Sequence, residues 1–69
     1  MNTRQLWLHA VREEQTLRYN ASAWRMALRQ LTDPSQREAV EPLVRALEQA
    51  QECAERTQKL LGQLVQREE

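Results

Sequence analysis

A chain of 69 residues makes one domain at most, and at that size a core seldom contributes more than about 3–5 kcal/mol unaided. Cys53 is the one cysteine and His9 the one histidine, which excludes an internal disulfide and a structural zinc site, the usual staples of small folds. Ten basic and ten acidic side chains cancel, so charge does not favour nucleic acid or anionic lipid as a partner.

The cancellation is uneven along the chain. Met1 to Leu31 holds five Arg against two Glu, a net +3, and Thr32 to Glu69 holds five basic against eight acidic residues, a net −3. Consecutive segments of opposite charge are suited to folding against each other. Leu, Ala, Arg, Gln and Glu dominate, Phe and Ile are absent, and Gly62 is the single glycine, a composition of helix rather than strand.

The first helix is predicted over about 3–31. Its apolar stripe runs Leu6, Ala10, Leu17, Ala21, Trp24, Leu28 and Leu31 at steps of three, four and seven, interrupted at Glu13. Trp7 and Val11 form a second apolar edge beside it, while Tyr19 and Met26 stand off the stripe. A turn follows at 32–33. Asp33 is placed to cap the next helix, Pro34 suits its first position, and Gln36 is placed to reach back as the third residue of a capping box.

The second helix is predicted over about 34–66, with a seam of Val40, Leu43, Leu47, Ala50, Ala54, Thr57, Leu61 and Leu64. Pro42 lies inside it, removing one backbone donor and crowding the carbonyl of Glu38, so a kink or an interruption is expected there. Folding the two stripes antiparallel about the turn brings Leu28 near Val40, Ala21 near Leu47 and Leu6 near Leu61. The fold class is therefore all-α, a single antiparallel two-helix hairpin of coiled-coil type.

Two helices cannot cover every apolar edge. Ala39, Ala46, Cys53 and Leu60 form one beside the second seam, and surplus apolar surface of this kind marks protein interfaces. The residues expected to meet a partner are Trp7, Val11, Leu60 and Leu64. No constellation of catalytic groups is present: His9 has no second imidazole or cysteine near it, and Glu13 and Glu14 have no pocket to raise their pKa. The chain reads as a non-enzyme without metal or cofactor. With no run approaching roughly 18 apolar residues and no apolar h-region after Met1-Asn2-Thr3-Arg4, a membrane span and a secretory leader are not expected, and a cytoplasmic location is.

The turn Leu31-Thr32-Asp33-Pro34-Ser35-Gln36, the run Ala46-Leu47-Glu48-Gln49-Ala50 and the spacing of the stripes resemble the small co-chaperones of bacterial type III secretion systems, the YscE, EscE and SsaE type. The resemblance covers nearly the whole chain. It implies a cytoplasmic bacterial helical hairpin that pairs with a tetratricopeptide-like chaperone and, through it, helps keep the needle subunit soluble before export. Two other readings stand beside it. One is a structural hairpin that self-associates into a four-helix bundle, including a homodimer formed when no partner is at hand. The other is an RNA-binding hairpin using Arg18, Arg25 and Arg29, which share one helical face.

Overall fold

The computed structural model describes residues 1–68 and consists of two helices, α1 (Thr3–Gln30) and α2 (Pro34–Glu68), folded back on each other as an all-α hairpin. The molecule is a rod of 53 × 16 × 13 Å. Its radius of gyration, 15.7 Å, exceeds the roughly 11 Å of a compact chain of this length.

Both helices begin with a side-chain cap. Asn2 Oδ1 accepts from the N–H of Gln5 at 2.8 Å and Gln5 Oε1 accepts from the N–H of Asn2 at 3.1 Å, a reciprocal capping box in Asn2-Thr3-Arg4-Gln5. At α2, Asp33 Oδ1 accepts from the N–H of Ser35 at 2.8 Å, and the Asp33 carbonyl accepts from the N–H of Arg37 at 3.0 Å. Gln36 does not complete a box there, because the short Asp33 side chain is committed to the second helical residue rather than the third. Among the described residues no hydrogen bond returns from the Gln36 side chain.

Arg37 takes over the closing of the turn. Its Nη1 donates to the carbonyl of Leu28 at 2.8 Å, which also accepts from the N–H of Leu31, and to that of Leu31 at 3.1 Å, tying the start of α2 to the end of α1. A cation at this end also opposes the negative pole of the α1 dipole. α1 ends at Gln30 with Leu31 in extended geometry, one residue before the expected boundary.

α2 is not interrupted at Pro42. The proline lies on the exposed side, where the Glu38 carbonyl it deprives of a donor is left to solvent. Nothing separates a short first turn from a later helix, as the interrupted alternative required.

The seam differs from the expected one by a rotation of α2 about its axis. Its inward residues are Arg37, Val40, Val44, Leu47, Gln51, Ala54, Gln58, Leu61 and Val65, in alternating steps of three and four. Val40, Leu47, Ala54 and Leu61 belong to both versions. Leu43, Ala50, Thr57 and Leu64 are displaced to the edge, with Leu43 41% exposed and Leu64 42% exposed. On α1 the inward line is Thr3, Trp7, Ala10, Glu14, Leu17, Ala21 and Leu28, continued by the half-buried Leu31 just past the helix end. Leu6, expected in the core, is 43% exposed and Trp7 holds its place; Trp24 stays in line but is 41% exposed.

The interior is thin. Among the described residues the buried apolar side chains are Ala21, Val44 and Val65. With so little apolar burial, the turn contributes a large share of stability. Arg37→Ala should therefore cost about 1–2 kcal/mol, and Asp33→Ala about 1 kcal/mol. Urea denaturation followed by helical circular dichroism measures both, and a chain indifferent to Arg37→Ala would show that the turn does not hold the hairpin.

Candidate functional site

Cross-helix contacts define what each edge of the seam is made of. Arg25 Nη1 lies 3.4 Å from Glu48 Oε2. Arg4, Val11, Arg18 and Arg25 repeat every seven residues along α1, and Glu41, Glu48, Glu55 and Gly62 repeat every seven along α2. The Arg25–Glu48 pair shows that these two rows adjoin, so one edge of the hairpin is basic on α1 and acidic on α2. Such exposed pairs contribute at most about 1 kcal/mol each, but they favour this rotation over its neighbours.

Trp7 closes the same edge near the open end. Its indole lies across Gly62, where an added Cβ would stand 3.2 Å from Trp7 Nε1. The lone glycine thus leaves room for the ring beside α2. Beyond it, Thr3 Oγ1 donates to Glu68 Oε1 at 2.9 Å.

The opposite edge carries almost no charge. On α2 it presents Leu43, Ala50, Thr57 and Leu64 as one row and Ala39, Ala46, Cys53 and Leu60 as the next. Leu60 is 62% exposed. On α1 the adjoining rows are Leu6, Glu13, Asn20 and Ala27, then His9, Thr16, Ala23 and Gln30. Cys53 has a free, exposed thiol in mid-row, and Arg56 Nη2 donates to its Sγ at 3.2 Å from the rim.

The four residues expected to meet a partner are thereby divided. Leu60 and Leu64 lie on the uncharged flank of α2, whereas Trp7 lies half-buried in the seam across Gly62 and Val11 half-buried on the charged edge. Trp7 and Val11 do not join one surface with the leucines, because Trp7 is part of the seam and Val11 lies beyond it. Tyr19 and Met26 are exposed on the outer side of α1.

The rod shape leaves much of the chain exposed. The chain exposes 5445 Å², against about 4,500 Å² for a compact monomer of its 8.2 kDa. The surplus of roughly 900 Å² follows from the elongated shape, a rod of 53 × 16 × 13 Å having more surface than a compact body of equal mass.

The seam itself holds one buried charge. Glu14 is buried between the helices, where Gln51 Nε2 donates to its Oε1 at 2.9 Å and Arg18 Nη2 donates to the same oxygen. The Gln51 hydrogen bond, joined by the hydrogen bond and charge of Arg18, holds the carboxyl below the ordinary glutamate value against the opposing effect of burial. A buried polar layer of this kind ties α1 and α2 to one register, since sliding α2 by a turn would strand the carboxylate.

Among the described residues there is no pocket, no cluster of His, Cys, Asp and Glu able to hold a metal, and no helix long and apolar enough to cross a membrane. Because the folded pKa of Glu14 is lowered, its contribution to stability is fully present above the unfolded value of about 4.3. That contribution is lost as pH falls through the folded pKa. Glu14→Gln should accordingly flatten the acid limb of a stability-against-pH curve. An unchanged limb would place the acid sensitivity elsewhere.

No family model, curated protein or solved structure matches this chain.

Proposed function

We propose that the chain is a non-enzymatic co-chaperone of a bacterial type III secretion system. In this reading it is a cytoplasmic protein that binds and stabilises a tetratricopeptide-like chaperone and thereby helps keep the needle subunit soluble before export. The observation that carries the reading is the uncovered apolar flank of α2, where Leu43, Leu60 and Leu64 stand exposed on a hairpin with a thin interior. A hairpin so built gains burial from docking, and the docked state is stabilised in proportion to partner concentration. The specific assignment to secretion draws on the resemblance carried by the turn Leu31-Thr32-Asp33-Pro34-Ser35-Gln36 and the Ala46-Leu47-Glu48-Gln49-Ala50 run.

The RNA-binding reading is less well supported. Arg18 is bonded to Glu14 and Arg25 to Glu48, so two of the three arginines already spend charge on carboxylates.

Co-expression with a tetratricopeptide-like chaperone encoded nearby tests the proposal. The two proteins should elute together in gel filtration, and the chaperone should lose solubility when the hairpin is omitted. Removing two anchors with Leu60→Asp and Leu64→Asp should weaken the complex by at least about tenfold, given about 1.5–3 kcal/mol for burying each leucine. Separate elution with equal solubility would sink the assignment.

A further inference from the structure

Two seams overlap on α2 and share one row of residues. The observed seam joins Val40, Leu47, Ala54 and Leu61 to Val44, Gln51, Gln58 and Val65. A second seam joins the same four residues to Leu43, Ala50, Thr57 and Leu64, again in alternating steps of three and four. Exchanging one for the other turns α2 by about 50°, half the angle between successive residues, and keeps the shared row facing α1.

Position by position the second seam is the more apolar. Leu43 would take the place of Val44, Leu64 that of Val65, Ala50 that of Gln51 and Thr57 that of Gln58. Apolar burial alone would select it, yet Leu43 is 41% exposed and Val44 is 4% exposed. What α2 would lose by turning is polar: the bond from Gln51 Nε2 to Glu14 Oε1, the Arg25–Glu48 pair and the reach of Arg37 to the end of α1. The Arg25–Glu48 pair is solvent-exposed and weak, and the Arg37 side chain is long enough to follow a turn of this size. The bond to the buried Glu14 alone has no replacement, because Ala50 in the place of Gln51 offers no side-chain donor.

We propose that α2 has two rotational seats on α1 and that the Glu14–Gln51 hydrogen bond is the latch holding it in the observed one. While the latch is closed, Leu43 and Leu64 stand outward. When it is opened, α2 turns, both leucines enter the seam, and Gln51 and Gln58 pass to solvent. What the hairpin shows on its outer face is thus governed by a contact inside it. Both seats belong to the hairpin alone, so the device is independent of the docking reading above.

Gly62 reports the seat. It is the single glycine and lies against the Trp7 indole, so its protons feel the ring only while α2 keeps the observed rotation. The full chain is compared with Glu14→Leu by nuclear magnetic resonance. Leucine removes both the buried charge and the acceptor for Gln51, at a position about two turns from Trp7. In the variant the Gly62 protons should lose the ring-induced shift, and Overhauser contacts to α1 from the Leu43 and Leu64 methyls should replace those from Val44 and Val65. Helical circular dichroism should be unchanged. Adding Leu43→Gln and Leu64→Gln to Glu14→Leu makes the second seam polar, and should return Gly62 to its original resonance.

A Gly62 resonance and Val44 contacts that persist in Glu14→Leu overturn the proposal. Loss of helical signal in that variant also overturns it, since the second seam then fails to hold the hairpin. A displaced Gly62 resonance that does not return in the triple variant does the same, because the change is then local to Trp7.

Discussion

The rotation of α2 about its own axis decides what the molecule shows to the outside. Two polar contacts set it: Arg37 reaches into the end of α1 to the carbonyls of Leu28 and Leu31, and Gln51 faces inward to Glu14. Once Arg37 and Gln51 point inward, Val40, Val44, Leu47 and Ala54 follow at the same spacing. Leu43 and Leu64 are then carried to the edge. A rotation chosen for maximal apolar burial would have hidden those leucines and stranded Glu14 without its amide donor. Burying an unpaired carboxylate costs far more than leaving a leucine half exposed, so the polar contacts win.

This is also why the sequence was legible in some respects and not in others. Helix content, hairpin topology, the position of the turn and the Asp33 cap can be read directly, because composition, periodicity and capping chemistry agree there. Residues common to both versions of the seam, such as Leu47 and Leu61, were equally readable. The rotation was not. Leu43 and Val44, like Leu64 and Val65, are adjacent apolar pairs, and periodicity alone prefers the larger member of each. Deciding between neighbours required knowing that Glu14 would be buried, a fact held by Gln51 some 37 positions away in sequence. The capping box of Asn2 and Gln5 was present as a readable signal, whereas the Arg37 closure had none, since a long side chain crossing a turn leaves no local pattern.

Segregation of the edges links folding to function. Arg25 meets Glu48 on one side, so charge is used up where the helices must recognise each other. The other side is left nearly free of charge, and there α2 carries alanine, cysteine, threonine and leucine where a solvated helix would carry lysine and glutamate.

The thin interior has a consequence for how binding and stability are coupled. Ala21, Val44 and Val65 bury little area, so the hairpin's own free energy of folding is small compared with what a well-packed interface can add. Leu60 and Leu64 ride on the same helix that Glu14 and Gln51 hold in register, so loosening α2 from α1 would also misalign the outer leucines. The inner polar layer and the outer apolar flank act through one rigid element, and the register of the first sets the presentation of the second. In such a design the buried carboxylate serves specificity more than strength. It fixes a single orientation of α2, in which Val44 and Val65 face inward and Leu43 and Leu64 face outward.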